Sequence, residues 1–279
     1  MKFGVREICD VVFKAKSDGK IGSMSVKEGQ PVLYIDSAKT STLEGAATSV
    51  YAQGGRGNAR LISWEGEKTL TFTVEDALLS PIGFSILSGA GLLNNTAKSV
   101  HVHTTANASI KNKTIDLSGA LKTGEEIDTE APVFVMTTAE DGSITGIIEN
   151  ATANGTTITL TGDETGSVFV DFYVKKDSAV TELQIDAENF AGNYYVEAST
   201  LFRRESDGKD LPAEITLPNV KIQSNFTFSM ASTGDPSTFT FTMDAFPGFT
   251  AFNKDKKVLC VIQVVEDPAS NSGDIVSVM

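Results

Sequence analysis

Thr69-Leu70-Thr71-Phe72-Thr73-Val74 and Thr238-Phe239-Thr240-Phe241-Thr242-Met243 decide the fold. In each run an apolar residue alternates with a threonine. In an extended chain successive side chains point to opposite faces, so this pattern puts phenylalanine on one face and hydroxyls on the other. That division suits antiparallel strands with one face packed and one face wet. Thr156-Thr157-Ile158-Thr159-Leu160-Thr161 and Asn225-Phe226-Thr227-Phe228-Ser229-Met230 repeat it. The turn-rich Ala231–Ser237 joins the Asn225–Met230 and Thr238–Met243 runs, which predicts a hairpin with a long loop.

Working outward, further strands are predicted at Ile144–Ile148, Val168–Val174, Tyr194–Phe202, Ile215–Ile222 and Val258–Val265. Asp141-Gly142, Asn154-Gly155 and Asp207-Gly208 supply turns between strand-like runs. The predicted class is mainly β, an antiparallel sandwich or barrel with one short flanking helix. The helix is expected over Ser80-Pro81-Ile82-Gly83-Phe84-Ser85-Ile86-Leu87. Ser80 suits the N-cap, Pro81 the first helical position, and Gly89 or Gly91 the stop. Ala38–Gly57 and Leu117–Pro132 read as long loops, a kind of segment that a neighbouring subunit often orders.

Composition narrows the function. The 279 residues carry 36 acidic and 23 basic side chains, a net charge of −13. That balance opposes tight binding to nucleic acid or to an anionic membrane. The N-terminal MKFGVREICDVVFKAK has no signal-peptide pattern, so synthesis in the cytoplasm is expected. No run is long and apolar enough for a membrane-spanning helix, and no membrane insertion is expected. The only cysteines, Cys9 and Cys260, read as two reduced thiols, with a terminal staple or an intersubunit bridge as the alternatives.

Chemistry-bearing motifs are sparse. His101 and His103 share one face of a strand, yet no third ligand stands at metal-site spacing. Gly55-Arg56-Gly57-Asn58-Ala59-Arg60 lacks the last glycine and the βαβ context of a dinucleotide loop. Neither a phosphate loop nor a nucleophile elbow occurs. No catalytic, cofactor or metal residue is assigned, and the chain is not expected to be an enzyme.

The order Glu182–Arg204, then Asp207–Ile222, then the phenylalanine-rich runs ending in Asp244-Ala245-Phe246-Pro247, resembles tail tube and related virion proteins of tailed bacteriophages. Thr71–Ser80, the helix and Ser88-Gly89-Ala90-Gly91 resemble them too. The likeness covers roughly residues 60–95 and 180–250. It implies a tail-tube β domain over 1–99 and 168–266, extra strands or an inserted β subdomain over 100–167, and a tail over 267–279. It further implies a virion protein of the tail: a homohexamer whose rings stack into a tube around the tape measure protein and serve genome ejection. The implied partners are a sheath if the tail is contractile, and a tail terminator and baseplate hub at the tube ends. DNA would pass through without specific binding. Deletion of Ser41–Gly55 is then expected to spare the β core and to block stacking. The competing readings are a capsid decoration or baseplate component, and a carbohydrate-binding β-sandwich.

Overall fold

A computed structural model describes residues 2–21, 24–227, 230, 232–233 and 237–266, apart from the side chains of 93–98 and 178–179. The described residues form eighteen strands and one helix. In chain order these are β1 (Phe3–Val5), β2 (Asp10–Ala15), β3 (Gly19–Ile21), β4 (Met24–Val26), β5 (Pro31–Ile35), β6 (Ala38–Gly54) and β7 (Ala59–Asp76). The helix α1 (Pro81–Ser88) follows, then β8 (Gly91–Lys111), β9 (Thr114–Asp116), β10 (Phe134–Thr138), β11 (Ile144–Ile148), β12 (Thr152–Asn154) and β13 (Thr157–Thr159). The last five are β14 (Gly166–Gln184), β15 (Asn193–Arg204), β16 (Asp210–Ile222), β17 (Phe239–Ala245) and β18 (Val261–Val264). No helix among the described residues is long and apolar enough to cross a membrane.

The chain divides into two compact units, 1–93 with 182–279, and 94–181. The first holds a nine-stranded sheet in the order β5-β2-β15-β16-β17-β7-β6, with β1 on β15 and β18 on β16. All of its pairings are antiparallel. The alternation in the sequence places its core directly. Phe72, Val74, Phe239, Phe241 and Met243 are buried with Val11, Phe13, Val196, Leu217 and Ile222. Phe13 meets Phe241 at 5.9 Å between ring centroids and Tyr194 at 6.0 Å. Helix α1 adds Phe84, Ile86 and Leu87 to the same core.

Helix α1 forms where the sequence predicts it, and its ends show why. Ser80 is extended (φ −95°, ψ 146°), and its Oγ accepts the Gly83 N–H at 3.0 Å. Pro81 occupies the first turn, and Gly89 stops the helix in the left-handed region at φ +73°.

The second unit is built on a seven-stranded sheet, β11-β10-β14-β8-β9-β13-β12. Ile115, Val135, Ile158, Val168, Val170 and Phe172 fill its core. Val168–Val174, expected in the flanking domain, thus packs inside this unit. Leu117–Pro132 carries no strand, as read, but it is no bare loop. Leu117 and Ile127 are buried in the unit's own core, and Lys176 holds Glu125 at 2.8 Å.

Three expectations are corrected. The strand over Asn225–Met230 does not form at 225–227, while Phe228 and Ser229 lie outside the described residues. The strand that turns back onto β17 is β16, through Val220↔Ala245 and Ile222↔Met243. Phe226 instead stacks edge-on against Phe84 of α1, centroids 5.0 Å apart. Ala38–Gly57 is not a loop: Ala38–Gly54 is β6, paired with β7 from Ala38↔Asp76 to Gly54↔Ala59. The strand read over Val258–Val265 shortens to Val261–Val264, with Val258 making only a bridge to Gly248. The tail 267–279 lies outside the described residues.

Candidate assembly surfaces

Three strands of the first unit carry the hydroxyl face that the sequence predicts. Across β17, β7 and β6 the register sets three rows: Thr240–Glu75–Thr40, Thr242–Thr73–Thr42 and Asp244–Thr71–Glu44. Every member is half-buried or exposed, and none is basic. The rows hold themselves by hydrogen bonds. Thr40 Oγ1 donates to Glu75 at 3.1 Å, and Thr238 donates to the same carboxylate. These two hydroxyls keep Glu75 below the usual carboxylate range. Gln223 Nε2 donates to both oxygens of Asp244 at 3.1 Å. The result is a rigid, hydroxylated, negatively charged patch backed by the phenylalanine core.

Beyond that patch β6 and β7 leave the sheet. From about Gly45 and Leu70 onward they pair only with each other among the described residues, out to a turn at Gly55–Asn58. At ~3.3 Å per residue this ribbon extends about 30 Å. Gly55 and Gly57 take φ of +79° and +85°, which explains the glycines read above: they close a hairpin. Val50 pairs with Trp64 and Ala52 with Ile62, so one face of the ribbon is apolar. Trp64 is 54% and Val50 63% exposed. A two-stranded ribbon is marginal by itself in water, and such a stripe marks a contact surface.

The remaining sequence candidates fall elsewhere. His101 Nδ1 hydrogen-bonds the buried Asp128, and His103 Nε2 meets Asp171 at 2.9 Å. Each histidine thus has its own carboxylate partner, and the pairs tie strand β8 to the 117–132 segment and to β14. Among the described residues no three His, Cys, Asp or Glu side chains cluster so as to hold a metal ion. Cys9 is buried and Cys260 half-buried, both free thiols; burial pushes the Cys260 thiol up to about 11. An open cleft of about 720 Å³ is lined by Lys14, Lys16, Glu28, Tyr195, Glu197, Phe249, Lys254 and Lys257, and Lys14 pairs with Glu197 in it.

The family model described as the YomU/Tube protein family matches residues 3–258. The chain belongs to that family. Membership makes it a phage-related, tube-type structural protein, and the match runs through both compact units. No curated protein matches the chain. Sequence reasoning missed the ribbon and its Val50–Trp64 stripe. The available signal was Leu61-Ile62-Ser63-Trp64 within a glycine-flanked stretch, which alternates too weakly to be read as a strand.

Proposed function

We propose that this member of the YomU/Tube family is the repeating subunit of a bacteriophage tail tube. Six copies form a ring, rings stack, and DNA leaves the virion through the lumen. The observation that carries this reading is the three-row Thr/Glu/Asp face of β17, β7 and β6. A channel for DNA needs a wall that is wetted yet holds no phosphate. Hydroxyls give the wetting, and Glu44, Glu75 and Asp244 repel the polyanion. Among the described residues β5 and β6 are the edges of the main sheet and offer backbone to a neighbour, and ring closure would cover them.

In this scheme the β6–β7 ribbon reaches the adjacent ring and buries its Val50–Trp64 stripe there. It takes over the stacking role expected of a loop at Ala38–Gly57. The 94–181 unit is an insertion between α1 and β15. The protein is made in the cytoplasm and acts in the tail around the tape measure protein, with terminator and baseplate hub at the tube ends.

Electron microscopy of the purified chain tests this reading. Hollow rods or stacked rings support it. Particles of single-chain size at every protein concentration overturn it.

A further inference from the structure

The loop between β17 and β18 presents its aromatic residues outward. Phe246, Phe249 and Phe252 are all exposed, and Phe252 is 99% exposed. This loop is fixed. The Phe246 N–H donates to Asn219 O at 2.8 Å, and Gly248 and Val258 exchange backbone hydrogen bonds at 3.0 and 2.9 Å. The Ala251 N–H donates to Tyr195 Oη at 3.2 Å, and Asn253 N–H to Thr250 Oγ1 at 3.0 Å. Lys257 lies over the Phe249 ring at 5.5 Å. Lys254 and Lys256 follow Phe252 in the loop, and both are exposed. A phenylalanine held in water by an ordered backbone suits a contact anchor, since little freedom is left to lose on binding.

The same unit carries a surface of opposite charge. Around the end of β14, Ile185 is 56% and Phe190 69% exposed, next to Asp186 and Glu188. This segment is also fixed. The Asp186 carboxylate accepts the N–H groups of Glu188 and Asn189 at 2.8 and 2.6 Å. The Ala191 N–H donates to Ser224 Oγ at 2.9 Å, and Gly89 packs directly on the Phe190 backbone.

We infer that the basic-aromatic loop Phe249–Lys257 of one copy docks on the acidic-apolar segment Ile185–Phe190 of a second copy. Phe252 meets Ile185 and Phe190, and Lys254 and Lys256 face Glu188 and Asp186. The second copy is the occupant because charge selects it: the chain is −13 overall, while this loop carries three lysines against the single carboxylate of Asp255. The two surfaces differ, so the contact is head-to-tail and closes a ring or propagates. The inference rests on the self-assembling reading above and names one of its interfaces.

The test is a charge swap read by sedimentation velocity and electron microscopy on the full chain. Asp186 is left in place because it builds its own loop. Lys254→Glu and Glu188→Lys are each expected to raise the concentration for assembly about tenfold or more, and the double variant to recover most of it. Phe252→Ser is expected to weaken assembly at least as much while thermal unfolding of the monomer stays unchanged. If wild type assembles and neither reversal matters, or the double variant recovers nothing, the docking inference is overturned and the tube reading stands. If wild type never assembles, both fall.

Discussion

Gly89 shows how one residue can be fixed twice over. Its φ of +73° is a left-handed conformation, and a Cβ there would lie 2.5 Å from the Phe190 carbonyl carbon. Gly89→Ala should therefore destabilise the first unit by more than about 1 kcal/mol in chemical denaturation, beyond the ordinary glycine-to-alanine cost at a C-cap. Asp128 is fixed by partners. The hydrogen bond from His101 and the Glu130 N–H hold it below the usual carboxylate range, and burial opposes them. A carboxylate lowered on folding contributes stability that is complete above its unfolded value near ~4 and lost as pH falls through the folded value. Hydrogen exchange at the Ile127 and Asp128 amides, which donate to Gly155 O and Tyr173 O, should speed up as pH falls below ~4 after correction for intrinsic rates. Asp128→Asn should remove that acid step. The histidines were legible as residues sharing a strand face. Their partners were not, because Asp128 and Asp171 come from segments 27 and 68 residues away.

At the scale of elements, legibility followed the number of packed faces. Strands β7 and β17 each bury one side in the sheet, which period-two alternation marks in the sequence; helix α1 is buried throughout Gly83–Ser88, and capping chemistry marks it instead. Phe241 illustrates the strength of that signal. It is 1% exposed and surrounded by Phe13 and Met243, and Phe241→Ala should cost about 3–5 kcal/mol. Strand β6 buries almost nothing beyond Leu43, so its sequence had no inward set to reveal and read as a loop. The correction changes an experiment. Deleting Ser41–Gly55 would strip the Thr42 and Leu43 rungs that β7 needs in the main sheet. Replacing residues 48–67 by an Asn-Gly turn keeps the rungs up to Ala47↔Lys68. That trimmed protein should unfold at a temperature close to wild type and form no long tubes. Normal long tubes from it would remove the ribbon from the stacking contact.

For the whole molecule, the β class, the single helix and the tube-type character were legible. They rest on patterns repeated through the chain, from Thr69–Val74 to Thr238–Met243. The compact units are 1–93 with 182–279, and 94–181. Val168–Val174 is apolar on both sides of the strand register, as at Phe169 and Tyr173, so its sequence carries no mark of which core it enters. Which wetted face lines a lumen is a property of the assembly, and no single strand encodes it. In the proposed tube the lumen is lined by the face of Thr240, Thr242 and Asp244. The most direct measurement is to label Thr240→Cys with an electron-dense maleimide and average images of the resulting tubes. Cys9 and Cys260 should react slowly, since burial raises both thiols. A tube lined by this face carries the label density on its inner wall; density on the outer wall of otherwise normal tubes rules that lining out.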